Sequence, residues 1–433
     1  GMEPFRIGVV GLGTVGGSLV RLLAESESRL NRRSRRPLSL RAVSARDRAR
    51  ANERLDISDY RWFDSPFDLA QDGDLDVVVE LIGGAEGAAR EVVQTALSAG
   101  KHVVTANKDL LARHGAELAK TAEANGVNLF FEAAVGGAVP CVEALRDGLV
   151  ADRIFSLRGI LNGTCNYILT GMEERGVSRD EALKSAQELG YAEADPSFDI
   201  GGQDSAHKLA LLSALCFGEL PALSDIHIEG IESLDALDFR IAEELGYRIR
   251  LAGVSRPAEG GLLRCVYPCL LPRTSMLARV FGPMNAVEMR AEWAGAILLQ
   301  GQGAGGPQTA SAVASDLVRL GQGGVHSVFG WPLERLEKLP SVRVSERVGG
   351  YYVRFEVRDE GGILAAIGNA FHGAGLSFRS LLQRGRWRDA ETGCIPVVLT
   401  VGDAVESAVT GAVAEVERHS LCRSSVVLRI EES

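Results

Sequence analysis

Several protein classes are excluded by what the sequence lacks. Seven cysteines are scattered through 433 residues, at positions 141, 165, 216, 265, 269, 394 and 422, and no C-x-x-C pair occurs. That is too few for a disulfide scaffold of this size, and Cys265 and Cys269 have no nearby histidine to complete a zinc site. The thiols read as buried small apolar residues, and the compartment as reducing, hence cytoplasmic. No run approaches 18 consecutive apolar residues, so no membrane helix is expected. No signal peptide is expected either, because Met2 leads at once into a strand-like run; Gly1 is set aside as a tag remnant. Positive charge is in deficit, with a net charge of −10, which argues against a nucleic-acid partner held by phosphate neutralisation. Low-complexity tracts and solenoid repeats are absent. Hydrophobic residues at 46% and charged residues at 24% are near the globular norm, so a disordered or coiled-coil chain is excluded.

What is present is glycine, 50 residues of it, and an alternation of strand-like and helical runs. The length suggests about three domains. Phe5 to Val10 reads as a strand, followed by Gly11-Leu12-Gly13-Thr14-Val15-Gly16 and a helix over about Gly17 to Ala24. The basic stretch Arg29 to Arg36 reads as a solvated loop. Leu38 to Val43, Asp76 to Ile82, His102 to Thr105 and Leu129 to Phe131 read as further strands with helices between them. Val77-Val78-Val79 suits a parallel strand buried on both faces. This alternation predicts a doubly wound parallel sheet, an α/β Rossmann-type fold. Beyond Gly136 the pattern changes to α+β. Ser178 and Glu181 form a capping box, a helix spans about Gln203 to Phe217, and Arg264 to Leu270 and Ala278 to Gln300 read as strands of a mixed sheet. Thr309 to Leu320 reads as a helix, Trp331 to Val348 as a linker, and Tyr351 to Ile430 as strand, helix, strand, strand, helix, strand. The expected boundaries are 1–135 for dinucleotide binding, completed by 306–330, then 136–305, a linker over 331–348, and 349–433.

G-x-G-x-x-G is a weak signal alone, but here it leaves a strand and opens a helix. Gly11, Gly13, Thr14, Val15 and Gly16 would let backbone amides approach a pyrophosphate. No carboxylate ends the second strand; Arg46 lies just beyond it and suits a 2′-phosphate, so NADP is favoured, with NAD the alternative. Gly83 and Gly84, Thr105 to Lys108, and Glu132 to Gly137 follow the ends of three later strands and would open onto one cleft. Asp204 and Lys208 are i and i+4 on one helix. Such pairs are most often surface features, but this one heads a stripe of Leu211, Leu212 and Leu215, so it is either buried or lines a cleft. A lysine so placed can move a proton during alcohol oxidation. Glu193, Asp199 and Asp204 suit a substrate ammonium.

These residues resemble the homoserine dehydrogenase family. The likeness runs through Gly11 to Gly16, Thr105 to Lys108, Leu161-Asn162-Gly163-Thr164-Cys165-Asn166-Tyr167, Gly190 to Pro196, Gly202 to Lys208 and Gly303 to Gly306. The resemblance implies interconversion of L-homoserine and L-aspartate 4-semialdehyde with NADP or NAD. It implies Lys208 as proton carrier, Lys108 at substrate and nicotinamide, and Glu193, Asp199, Asp204, Gly163 and Thr164 around the substrate. Gly305 would close over the cofactor. A monovalent cation, usually sodium, would be held by Glu132 and by the backbone at Val135 and Gly137. The resemblance also makes 136–305 a substrate and dimerisation domain in a homodimer or homotetramer. The C-terminal block resembles an ACT domain, a ferredoxin-like regulatory module, through Tyr351 to Val357, Asp359 to Leu364 and Leu376 to Gln383; Gly361 stands where the usual proline would precede the second glycine. That likeness implies an amino-acid effector, with threonine expected. A dehydrogenase for another short hydroxy-amino acid and a non-catalytic dinucleotide sensor are the alternatives.

Overall fold

The computed structural model describes residues 2–432, which gather into two compact bodies. The first comprises residues up to Gly163, Gln203–Ile226 and Pro283–Leu339; the second comprises Thr164–Gly202, His227–Gly282 and Pro340 onward.

In the first body, six strands form a parallel sheet: β1 (Phe5–Val10), β2 (Leu38–Ser44), β3 (Arg61–Trp62), β4 (Val77–Glu80), β5 (His102–Thr105) and β6 (Leu129–Phe130). Their order is β3-β2-β1-β4-β5-β6, all pairs parallel. This is the expected doubly wound sheet, and its order reverses between β1 and β4, the switch point at which such sheets take ligands. Burial explains the strand sequences: Val77, Val78 and Val79 are wholly inaccessible because helices cover both faces. The helix α1 (Thr14–Glu25) packs against Gly306–Gln322, and at Gly306 a Cβ would stand 2.8 Å from both Ser18 Oγ and Thr14 Cγ2. Arg29 to Arg36 departs from the expected loop. Glu27–Arg33 is helical, with Glu27 in its first turn and Arg32 and Arg33 in its last, matching the helix dipole. Leu30 packs on the core, while the arginines of that helix stay exposed. The same body carries an antiparallel trio, Ile154–Ile160, Met284–Ala291 and Gly295–Gln302, and the helix Gln203–Phe217, buried from Asp204 through Cys216.

The second body is built on a mixed sheet. Tyr247–Ala258 pairs antiparallel with Gly261–Pro272 over twelve residues, and the latter pairs parallel with Cys422–Ile430. Val348–Val357 lies between Cys422–Ile430 and Ile395–Val405, with Phe378–Gln383 at the edge. With the helices Ile363–Gly373 and Glu406–Glu417, the last block has the expected βαββαβ order, closed over Phe355, Phe371, Val397 and Val413. It is not a separate body, because a buried ionic cluster and the shared sheet bind it to the preceding strands. Glu431 accepts from Arg256, Arg347 and the Tyr267 hydroxyl, and Asp238 accepts from Arg354 and Tyr352. The segment expected as linker passes from one body to the other at Leu339–Pro340, and Ser341–Val342 already pairs with Leu262–Leu263. Ser178 caps its helix by accepting from the Glu181 amide, half of the expected capping box. All seven cysteines are thiols, six of them buried. Among the described residues, no helix is long and apolar enough to cross a membrane.

Candidate active site

The turn after β1 is shaped for a ligand. Gly11 has φ +100°, and a Cβ there would meet the Leu81 carbonyl oxygen at 2.7 Å. At Gly16 a Cβ would stand 2.1 Å from the Gly11 oxygen, so the protein itself requires both glycines. Gly13 differs: a Cβ there would meet nothing within 4 Å. Gly13 is the N-cap of α1, which has no side-chain cap and no acidic first-turn residue. Among the described residues, its first turn therefore has no side-chain capping acceptor. A cleft of about 590 Å³ opens here, lined by Gly11, Gly13, Arg46, Arg50, Arg54 and Ile82 among others. Arg46 is exposed at its mouth. Arg50 and Arg54 went unassigned in the sequence, although their spacing of four would set them on one face of a helix with Asp47 as N-cap.

Beyond β4 and β5 the loops are tied by one carboxylate that sequence reasoning missed. Glu80, fully buried, accepts from the amides of Ile82 and Gly83 and from the Thr105 hydroxyl at 2.8, 2.9 and 2.8 Å. Asn107 donates to the same Glu80 at 3.2 Å and to the Gly84 carbonyl at 2.7 Å. Its own oxygen accepts from Leu110 N, capping the helix that Lys108 begins. The signal was a carboxylate closing an all-valine strand.

Lys108, Asp204 and Lys208 meet in the first body. Lys208 Nζ donates to the Leu161 carbonyl at 2.6 Å and lies 3.1 Å from Asp204 Oδ2, while Lys108 Nζ lies 3.1 Å from Asp204 Oδ1. Asn162 Nδ2 donates a hydrogen bond to Asp204 Oδ2 at 2.9 Å. Burial opposes charge on Asp204, yet the ammonium groups of Lys208 and Lys108 and the Asn162 amide hold its carboxyl well below the usual range. Lys208 is 8% exposed, so the pair is no surface salt bridge. Next to it, His207 bridges Gln203 O and Asp109. At Gly163 a Cβ would stand 2.5 Å from the Pro283 oxygen.

Thr164, Glu193 and Asp199 belong to the second body. Thr164 Oγ1 donates to the Tyr191 carbonyl at 2.5 Å, the Asp199 carbonyl accepts from the Cys165 thiol, and Gln187 donates to the Glu193 carbonyl. The Glu193 side chain is exposed and Asp199 is half-buried. Gly305, in the first body, has φ +116° and starts the helix Gly306–Gln322. Glu132 is buried, and both its oxygens accept amides, those of Val142 and Glu143. Burial and the nearby Asp316 push its carboxyl up to about 7. Val135 follows in the same turn, and Gly137, φ +55°, abuts the Gly303 oxygen. Among the described residues, no cluster of three or more His, Cys, Asp or Glu side chains is arranged to hold a metal.

A parallel sheet with an uncapped helix at its switch point, in a body that also buries a lysine against an aspartate, defines a dinucleotide-binding oxidoreductase. Residues 11–132 match the family described as homoserine dehydrogenase, NAD binding domain, and residues 140–318 the one described as homoserine dehydrogenase. The homoserine dehydrogenase of Neisseria gonorrhoeae is 40% identical over 422 residues, 96% of each chain. The crystal structure of a homoserine dehydrogenase from Thiobacillus denitrificans is 39% identical, with a TM-score of 0.93, covering 100% of this chain and 99% of that one. A hyperthermophilic archaeal homoserine dehydrogenase in complex with NADPH covers 75% of this chain and 100% of its own, at 28% identity and a TM-score of 0.64. The chain belongs to the homoserine dehydrogenase family.

Proposed function

We propose that the protein interconverts L-homoserine and L-aspartate 4-semialdehyde with NADP, Lys208 carrying the proton. The observation that carries this reading is the Lys208 ammonium, buried and held by Leu161 O and Asp204, which leaves one N–H for a substrate oxygen. In reduction the Lys208 ammonium donates that proton to the aldehyde oxygen; in oxidation Lys208 starts as the neutral amine and takes the proton of the alcohol. Lys108 shares Asp204 and adds a second positive charge beside the reacting oxygen, where negative charge develops. The family motif supports Gly163, Thr164, Glu193 and Asp199 as the residues for the amino-acid end of the substrate.

The chain's fit to a dinucleotide rests on the open space at Gly13 and the uncapped α1. A bound nicotinamide would supply the hydride acceptor and donor. Thr14, Val15 and Gly16 would carry the pyrophosphate-facing amides, Gly83, Gly84, Thr105 and Lys108 the nicotinamide side, and Gly305 the cover. Arg46, with Arg50 and Arg54 in the same cleft, supports a 2′-phosphate and hence NADP over NAD. Glu132, with carbonyls at Val135 and Gly137, is proposed to hold a monovalent cation such as sodium. The residues from 349 onward are proposed as an ACT domain taking threonine as feedback effector, in a homodimer or homotetramer built through 136–305.

Nicotinamide absorbance with homoserine against serine, threonine and malate tests the reaction. Homoserine alone should turn over, faster with NADP. Turnover of another alcohol at a higher kcat/KM would overturn the substrate, and a preference for NAD would overturn the role of Arg46. An unchanged rate at millimolar threonine would reject the effector.

A further inference from the structure

Resting on the reading of Lys208 as proton carrier, we infer that Asn285 is a positioning residue of the reaction, its amide fixing the carbonyl that holds the lysine. Asn285 lies on Met284–Ala291, which pairs with Ile154–Ile160 so that Ala286 faces Ile160. That register brings the Asn285 side chain to Leu161, the residue just past the strand end. Its Nδ2 donates to the Leu161 carbonyl at 3.1 Å, and the same oxygen accepts from Lys208 Nζ at 2.6 Å. The Leu161 carbonyl thus receives two donors, which fix its direction and with it the place of the lysine nitrogen.

Two observations set Asn285 apart from a packing residue. Its Oδ1 is buried and accepts no hydrogen bond. A buried acceptor without a donor costs folding free energy, so stability alone does not account for an asparagine here. The surroundings also leave room for the amide. At Gly303 a Cβ would stand 1.9 Å from Nδ2 and 2.2 Å from Cγ, and at Gly163 one would stand 3.4 Å from Oδ1. Gly303 is therefore required to be glycine by the Asn285 amide rather than by its own backbone angle.

A leucine at 285 keeps the shape, removes the orphan acceptor and leaves Leu161 O still accepting from Lys208. The test is Asn285→Leu and Asn285→Asp in the full chain, with kcat, both KM values and thermal unfolding measured. Asn285→Leu is expected to melt no lower than wild type while kcat falls at least about tenfold and both KM values stay within about threefold. Asn285→Asp keeps the shape without the donor and should lose kcat to at least the same degree. On a Lys208→Ala background, Asn285→Leu should change the residual kcat less than about twofold, because the two act as one unit. Wild-type kcat in either single variant overturns the inference, as does a loss of kcat that tracks a lowered melting temperature in both. Lys208→Ala at wild-type kcat would instead remove the reading beneath it, so the two failures are distinguishable.

Discussion

Neutralising Asp204 is the sharpest test of the site, because its carboxylate is shared three ways. Lys208 and Asn162 both address Oδ2, and Lys108 addresses Oδ1. Asp204→Ala removes all three bonds and strands the ammonium of a lysine that is 8% exposed; breaking a buried pair this way costs about 3–5 kcal/mol. Asp204→Asn should cost less. Its one remaining oxygen can face Lys208 and Asn162 together, since they already share an oxygen, and its NH2 then faces Lys108. The Lys108 side chain is 28% exposed and can turn toward water, so the cost falls to about 1–3 kcal/mol, that of one mismatched buried polar group. Urea unfolding of both variants at pH 7 measures the difference, and both should lose kcat about 100-fold or more. The pH dependence has a definite sign. A carboxyl held below its unfolded value stabilises the fold fully above that value, near 3.8, and loses the contribution as pH falls toward the folded value. The gap between wild type and Asp204→Asn should therefore be flat from about pH 8 to 5 and narrow only below about 4. A gap that closes between pH 7 and 5, or an alanine no costlier than the asparagine, would refute the shared-carboxylate geometry.

Three other outcomes are expected. Lys208→Ala should lower kcat about 10²–10⁴-fold with cofactor affinity, read by fluorescence titration, unchanged; near-wild-type kcat would remove Lys208 from proton transfer. Gly13→Ala should melt like wild type but bind dinucleotide poorly, whereas Gly16→Ala, whose Cβ would stand 2.1 Å from the Gly11 oxygen, should lower the melting temperature; equal melting of the two would contradict the packing. Burial pushes the Cys141, Cys216 and Cys422 thiols up alike, but Cys422 alone of the seven is half-buried and open to reagent, so iodoacetamide at pH 8 should label Cys422 first by mass spectrometry; early labelling of Cys141 in the folded enzyme would count against the buried thiol.

The parallel sheet was legible because its strands are buried on both faces and so read as plain apolar runs, as at Val77–Val79. Asp204 and Lys208 were legible because a charged i, i+4 pair heading a leucine stripe has few places to go. Ile154–Ile160 and Tyr247–Ala258 went unread, and for one physical reason. Each carries arginine where the pattern looks solvent-facing, but Arg158 is buried against Glu288 at 2.8 Å and Arg250 against Glu173 at 3.3 Å. The partners lie 130 and 77 residues away, so no local pattern reveals that those charges are neutralised. Glu193 and Asp199 were picked out by motif; Glu193 lies in a loop and Asp199 in the four-residue helix Ser197–Ile200, too short to carry a periodicity from which geometry could be derived. Arg29 to Arg36 failed in the opposite sense: its charge count suggested a loop, while dipole-matched ends and Leu30 make a short helix.

Glu80 and the Leu161 carbonyl stand at two ends of one connected arrangement. Glu80 fixes the loop after β4 through two amides and fixes Asn107 through its side chain. Asn107 caps the helix whose first residue is Lys108, so the loops after β4 and β5 and the first lysine share one anchor. Lys108 reaches Asp204, Asp204 holds Lys208, and Lys208 ends on the Leu161 carbonyl. Each carboxylate is buried and satisfied by several donors, which makes it rigid as well as charged; a half-satisfied one would cost stability without fixing any geometry. Hydride and proton transfer need two groups on different elements held to within a fraction of an ångström. On the proposed role of Lys208, a line of buried acceptors running from the tip of β4 to the end of Ile154–Ile160 would supply that alignment from within a single body of the fold.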